Sequence, residues 1–185
     1  MITCKNRKQQ TYYLKVGTTK TDKTRYYASM NAEKGDNAPA MPEGFAFTEN
    51  INGQVSVGKP QASLIEANEF EIVMAQIKML DCNCRAEIKG NTIVLYTSNE
   101  PKFRNSHSLI STAQLKEYHA QHVIYQPLLR FILVDTASRQ FQSERMCFRG
   151  EPDWIWMRSP APLKKLAAKY IPLLDDEEAL FEEYF

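Results

Sequence analysis

The sequence predicts an α+β protein made of antiparallel sheets of hairpins, with one central helix and two C-terminal helices. Three observations predict this class. Alternating polar and apolar residues recur in pairs of segments joined by turn-forming residues. One stretch with a helical repeat of apolar residues lies between two groups of such pairs, and two more helical stretches end the chain. The order of these elements is an α+β pattern.

The composition excludes several classes of protein. The chain has 185 residues, 43% of them hydrophobic and 24% charged, and a formal net charge of +1. These values are typical of a globular protein and exclude disorder, collagen or a coiled coil as a description of the whole chain. A near-neutral charge argues against electrostatic capture of nucleic acid or an anionic membrane. No apolar run approaches the ~20 residues of a spanning helix, and the N-terminus lacks a hydrophobic leader, so we expect a cytoplasmic protein.

Two hairpins are predicted near the N-terminus. Thr11–Val16 and Thr24–Ser29 are rich in tyrosine and β-branched residues and flank a polar turn,. Phe45–Glu49 and Gln54–Val57 flank an Asn-Gly dipeptide at 52–53, which favours a tight turn,. We interpret residues 1–60 as a four-stranded antiparallel subdomain.

The next segment changes from a helical to a strand pattern. Ser63 with Glu66 predicts a capping box at the start of a helix over Leu64–Leu80. Cys84–Ile88 and Thr92–Thr97 then alternate about a turn at Gly90 and predict a further hairpin,.

The C-terminal half predicts a sheet followed by helices. Leu109–Ile124 is ambiguous, with a helix as one interpretation. Leu128–Asp135 is almost continuously apolar and predicts a central strand buried on both faces, with Gln140–Phe148 returning antiparallel. Gly150–Asp153 is expected to end the sheet.

Two helices are expected to cover this sheet. Ser159–Pro162 predicts the start of one helix, and Asp175 predicts the cap of a second. We therefore interpret residues 61–185 as an α+β domain with a C-terminal helical cap.

Two groups of residues suggest metal chemistry. Cys82 and Cys84 can supply half of a zinc site, but their spacing is too short for the usual motif, and small packed or exposed thiols are the favoured interpretation. His119 and His122 share one face of a helix and can act on a substrate together with a carboxylate or a metal. The favoured interpretation is two surface histidines. We therefore expect no metal and no cofactor.

An aromatic segment near residue 150 is the strongest binding candidate. Arg149, Trp154 and Trp156 can form a pocket or the centre of a protein interface, because tryptophan and arginine are enriched at such centres,. They can also fill the gap between the sheet and the C-terminal helices.

Basic residues alternate with tyrosines in the N-terminal third. Such a pattern can bind single-stranded nucleic acid, but acidic residues dilute the charge and cross-strand packing is favoured, so we expect no nucleic-acid partner. The residues concerned are Lys15, Lys20, Lys23 and Arg25 with Tyr12, Tyr13, Tyr26 and Tyr27.

Three stretches resemble an uncharacterised bacterial family that is abundant among planctomycetes. The resemblance covers most of the chain, implies a shared architecture and transfers no catalytic residue. The stretches are Lys23–Ser29 with Met41–Phe45 and Glu49–Val55; Leu129–Phe131 with Arg145–Gly150 and Asp153–Trp154; and Pro162–Leu163 with Leu180–Glu182.

The sequence thus favours a non-enzymatic binding module that interacts with another protein through the Trp154–Trp156 region or the N-terminal sheet. The alternative is a hydrolase-like enzyme that uses His119 or His122.

Overall fold

The computed structural model describes residues 1–98, 118, 121–149 and 151–182. The fold is mostly antiparallel sheet with few helices. The chain forms two compact units. One comprises Met1–Pro60 and Ser108–Val123, and the other comprises Gln61–His107 and Ile124–Phe185. The division into a 1–60 subdomain and a 61–185 domain stays a prediction.

Among its described residues, the first unit has six strands in two sheets. In the larger sheet, β2 pairs antiparallel with each of the other three strands, and β5 and β6 form a separate hairpin. The strands are β1 (Thr3–Lys5), β2 (Thr11–Thr18), β3 (Thr24–Ser29), β4 (Asp36–Asn37), β5 (Ala46–Glu49) and β6 (Val55–Gly58).

Both predicted N-terminal hairpins form, but they do not join into one four-stranded sheet as predicted. After β3 the chain turns back through Gly35, whose φ of +80° suits glycine, and Asp36–Asn37 pairs with β2,. The β5–β6 hairpin therefore forms its own sheet. It packs on β3, where the rings of Tyr26 and Phe45 lie 6.1 Å apart.

A buried asparagine fixes the turn between β1 and β2. The Asn6 side-chain amide donates to the carbonyl oxygen of Gly53 at 2.6 Å and to Gln10 Oε1 at 2.9 Å. Its Oδ1 accepts from the Gln10 amide at 2.8 Å. The polar groups of Asn6 are thus paired although the residue is buried,.

The second unit is a five-stranded antiparallel sheet in the order β11-β10-β9-β8-β7. The predicted central position of β9 is confirmed, since it lies in the middle of this order. The strands are β7 (Cys84–Lys89), β8 (Thr92–Thr97), β9 (Gln126–Asp135), β10 (Gln140–Arg149) and β11 (Glu151–Pro162), and the helices are α1 (Ala67–Ile77), α2 (Leu163–Tyr170) and α3 (Glu177–Glu182), with a 3-10 turn at Pro172–Asp175.

One face of the five-stranded sheet packs against the helices. Leu129, Phe131 and Leu133 alternate along β9 and pack with Val73 of α1 and Leu166 of α2 in one apolar core. On the opposite face of β9, Arg130 and Ile132 are only half-buried. The expectation that both faces of β9 are fully buried is therefore wrong, because helices cover one face.

Strand β11 replaces the predicted break and the predicted helix start. Residues 151–162 form one strand that pairs with β10 near both of its ends, with register shifts beside Ser143, so Gly150–Asp153 does not end the sheet and Ser159–Pro162 does not begin a helix. The prolines in this stretch are compatible with a strand because β11 lies at the sheet edge, where a missing amide donor is tolerated,. Helix α2 consequently begins at Leu163.

The N-terminal caps of helices α1 and α3 are formed by residues next to or near those that the sequence predicts. Helix α1 begins after Glu66, whose amide donates to Glu69 Oε2 at 2.9 Å, while Ser63 Oγ accepts from the Ile65 amide. Asp176 accepts from the Ala179 amide in α3. The carboxylate of Asp175 instead accepts from the amides of Asp81 and Cys82, beyond the end of α1.

The ambiguous segment Leu109–Ile124 is described only in part. Tyr118, Gln121 and His122 are helical, while Val123 and Ile124 are not. The other residues of the segment lie outside the described part of the chain.

An ion pair joins helix α1 to the β9–β10 hairpin. Arg139, at the tip of the hairpin, donates through Nε to Glu69 Oε1 at 2.9 Å and through Nη2 to Glu69 Oε2. Its Nη2 also donates to the Leu64 carbonyl at 3.2 Å. One carboxylate therefore both caps α1 and holds the hairpin.

Replacing Glu69 by glutamine should lower the free energy of unfolding by about 1–3 kcal/mol, because a charge-assisted pair in a largely buried position is lost. The urea midpoint followed by tryptophan fluorescence measures this change. Glu71→Gln is the matched control, since Glu71 lies exposed on the same helix. Its free energy of unfolding should stay within about 0.5 kcal/mol of the wild-type value. Equal midpoints for both variants would contradict the assigned role of Glu69.

Candidate functional site

The sheet face that turns away from the helices carries a row of polar and aromatic residues. We call it the outer face. The strand register places Glu87, Val94, Arg130, Glu144 and Trp156 in one row, each directly opposite the next on the neighbouring strand. Residues opposite one another on one face have β-carbons about 5 Å apart. The row thus crosses the whole sheet from β7 to β11.

An ion pair occupies the middle of this row. Arg130 Nε donates to Glu144 Oε2 at 2.7 Å, and Nη2 donates to the same oxygen. Gln142 Nε2 donates to Glu144 Oε1 at 2.6 Å. Both carboxylate oxygens are thereby hydrogen-bonded, as a carboxylate with only 9% of its residue exposed requires,.

The same guanidinium supports one of the two tryptophans. The guanidinium carbon of Arg130 lies 4.1 Å from the centre of the Trp154 ring, which is a close cation–π contact,. Trp154 is half-buried by this packing. Its ring is therefore held by a group that is itself fixed by a carboxylate.

The second tryptophan is more exposed. Trp156 follows Trp154 by two residues on β11, so both point to the outer face,. It is 54% exposed, and Val134 on β9 is 48% exposed. Of the predicted binding residues, the structure brings Trp154 and Trp156 to one face. Arg149 ends β10, and its side chain lies outside the described residues.

Sequence reasoning missed both Arg130 and Glu144. The signal was available in the predicted strands, because alternation along β9 places Arg130 between the inward-facing Leu129 and Phe131. A charged residue at that position must face away from the core and needs a partner on an adjacent strand.

A second polar cluster lies on the β7–β8 hairpin. Lys89 Nζ donates to the Tyr96 hydroxyl at 2.7 Å, and that hydroxyl donates to Glu87 Oε2 at 3.2 Å. Lys89 Nζ also lies 3.3 Å from Glu87 Oε2. The turn at Gly90 sets this register, so the cluster follows from the predicted hairpin.

These contacts shift two pKa values upward. Burial raises the pKa of Tyr96 above its ordinary value of 10.0, and the hydrogen bond from Lys89 opposes the shift only in part. Burial alone would lower the pKa of Lys89, but its contacts with Tyr96 and Glu87 outweigh burial and raise that pKa above 10.5. Both groups are therefore protonated at neutral pH.

The cysteine candidates lie at the edge of the apolar core. Cys82 and Cys84 pack partly against it, and the Cys82 amide donates to Asp175 Oδ1 at 2.6 Å. Across the described ranges, no group of three histidine, cysteine or acidic residues is arranged to hold a metal ion.

The histidine candidates are placed only in part. His122 is exposed, its ring stacks on Tyr118 at 4.5 Å, and its Nδ1 lies 3.1 Å from the Tyr118 carbonyl oxygen. His119 lies outside the described residues. The contacts of His122 are those of a residue on a helix surface.

The N-terminal tyrosines and basic residues do not form one exposed surface. Tyr12 and Lys15 are buried, and Arg25 packs over the Tyr27 ring at 5.8 Å. A strand that binds single-stranded nucleic acid must present its rings and cations together, so the packing interpretation accounts for these residues better.

Comparison with protein-family models, with curated proteins and with solved structures finds no match to this chain. The resemblance to a planctomycete family therefore stays a prediction. No helix in the described part of the chain is both long and apolar enough to cross a membrane.

The Lys89–Tyr96 pair predicts a loss of stability in alkali. Because both pKa values are raised by folding, the folded chain holds protons that the unfolded chain releases, so the free energy of unfolding should fall above about pH 10. Tyr96→Phe should show a shallower fall between about pH 9.5 and 11.5 in urea titrations. Tyr118→Phe, at an exposed tyrosine, should behave as the wild type does. Identical slopes for the wild type and Tyr96→Phe would contradict the assignment.

Proposed function

We propose that this protein is a non-enzymatic interaction module that binds another polypeptide on the outer face of its five-stranded sheet, at Trp154 and Trp156. The observation that carries the proposal is the half-exposed indole of Trp156 beside a second indole that Arg130 holds in place. Tryptophan and arginine are the residues most enriched among those that dominate binding energy at protein interfaces.

The ion pair beneath the tryptophans favours burial under a partner. Covering an unpaired guanidinium would carry a large desolvation cost. The charge of Arg130 is already neutralised by Glu144, whose second oxygen is engaged by Gln142. A partner that covers Trp156 therefore does not have to supply a counter-charge, and an apolar side chain is the fitting contact.

The edge strand β11 is poorly suited to pairing with a strand of a partner, which favours a partner that binds the outer face of the sheet instead. Pro152, Pro160 and Pro162 lack amide donors, and β11 carries register irregularities against Ser143. Prolines and bulges are the features that discourage an added strand at a sheet edge. We infer that the partner lies on the outer face and presents apolar side chains to Trp156.

Two finer expectations belong to the same proposal, namely the α+β class and a cytoplasmic location.

The hydrolase alternative receives no support from the contacts of His122, because within the described residues no carboxylate hydrogen-bonds to that imidazole. The basic tyrosine-rich strands give no support to a nucleic-acid partner at Lys15, because that residue is buried.

Removing the exposed indole tests the proposal. Polypeptides retained from cell extract by the immobilised wild-type chain are compared with those retained by Trp156→Ala and by Met79→Ala. Met79 is a large exposed apolar residue near the end of α1 and is the matched control. We expect a polypeptide that the wild type and Met79→Ala retain and Trp156→Ala loses.

Affinity measured with that purified polypeptide gives the magnitude. Trp156→Ala should weaken binding about 30-fold or more, since a central interface tryptophan contributes about 2 kcal/mol. Its thermal midpoint should stay near that of the wild type. Equal retention by Trp156→Ala, an absence of any retained polypeptide, or unfolding of Trp156→Ala as its only effect would each overturn the proposal.

A further inference from the structure

A fully buried lysine lies in the first unit and has no part in the proposed binding surface. Lys15 on β2 has 0% of its surface exposed. Its Nζ donates to the carbonyl oxygen of Ala32 at 2.6 Å, to Asn37 Oδ1 at 2.8 Å and to the carbonyl oxygen of Gly35 at 3.3 Å. An ammonium group has three N–H donors, and here three oxygens receive them.

All three acceptors are neutral and come from one short loop. Two are backbone carbonyls and the third is a side-chain amide. A buried ammonium is normally compensated by a carboxylate. Here the compensation comes from oxygen dipoles arranged around the charge, which is how proteins coordinate monovalent cations with carbonyl groups.

The shape of the loop has supports other than Lys15. Asn31 Oδ1 accepts from the amides of Glu33 and Lys34, and Ser29 Oγ accepts from the Asn31 amide. Gly35 has a φ of +80°, and a β-carbon there would lie 2.6 Å from the Tyr27 hydroxyl, so only glycine fits.

Strand pairing fixes the far end of the loop. Asn37 lies opposite Lys15 in the β2–β4 register, and the Ala38 amide donates to the Leu14 carbonyl at 3.1 Å. The backbone of the loop is therefore held in position by turn and strand contacts that do not involve the ammonium.

We propose that the loop Ala32–Asn37 is a binding site for a primary ammonium ion, occupied in this protein by the tethered ammonium of Lys15. The ligand class is a small alkylammonium, which has three N–H donors and a narrow apolar stem. Truncation of Lys15 to alanine is expected to leave the three oxygens and an enclosed cavity the size of the removed side chain. A free n-propylammonium ion matches the atoms that are removed.

Chemical rescue of Lys15→Ala tests the site. We expect the variant to melt at a lower temperature than the wild type and to lose amide-exchange protection at Leu14. Saturating n-propylammonium should recover about 3 °C or more of the melting temperature, because a ligand that binds only the folded state stabilises it. Tetramethylammonium at the same concentration supplies the charge without N–H donors and should recover nothing.

Two further variants make the result specific. Lys15→Met fills the cavity with an apolar stem and should not respond to n-propylammonium. Lys15→Ala combined with Asn37→Ala should show at least a tenfold weaker response. A recovery by tetramethylammonium equal to that by n-propylammonium, or a full response in the double variant, would overturn the proposal.

A second measurement covers the case in which Lys15→Ala does not fold. With Lys15 intact, Asn37→Asp places a carboxylate at one of the three acceptor positions, and Asn37→Ala removes that acceptor. We expect Asn37→Asp to melt at or above the wild-type temperature and Asn37→Ala to melt below it. Equal losses in both variants would show that Asn37 does not bind the ammonium and would overturn the site.

Discussion

The carboxylate of Glu69 is the contact on which the order of the second unit depends. It accepts the Glu66 amide at the start of α1 and binds the guanidinium of Arg139 at the tip of the β9–β10 hairpin. The helix is thereby fixed to the two strands that carry Arg130 and Glu144. Because apolar packing is non-directional, the core alone does not set the position of the helix along the sheet, and this directional contact supplies that constraint.

The outer face illustrates how a polar row can be built into a sheet. Arg130 needs a counter-charge since it lies on the central strand and is half-buried, and the register places Glu144 directly opposite on β10. The paired guanidinium then offers a flat surface on which Trp154 packs. Trp156 lies two residues farther along the same edge strand, opposite Glu144, and is half-exposed. The exposed aromatic surface is thus a consequence of how the charge at the centre is satisfied.

Local sequence patterns were enough to predict the hairpins and the apolar face of helix α1. The two strands of a hairpin and the residues on one helical face are close in the sequence, so their spacing indicates them directly. Strand β11 was missed because glycine and proline at 150–152 indicate a break, and only the position of β11 at the sheet edge makes them compatible with a strand,. The caps of α1 and α3 were each assigned to a neighbour, since Ser63, Glu66 and Glu69 offer overlapping choices. Of the candidate site, the two tryptophans were predicted, whereas Arg130 and Glu144 required the strand register.

Lys15, which is buried, and Arg130, which is half-buried, show why sequence alone does not separate structural from functional charge. Lys15 and Arg130 both lie on central strands among apolar neighbours. The acceptors of Lys15 come from a loop that turns through a positive-φ glycine, so its charge is enclosed within its own unit. Arg130 is paired across a flat sheet, and its ring contact faces outward. A cation enclosed by a loop stabilises one conformation, whereas a cation neutralised on an open face leaves an aromatic surface that a partner can cover. This difference in enclosure depends on long-range geometry, and it is why the proposed surface for a polypeptide lies on β11 rather than on β2.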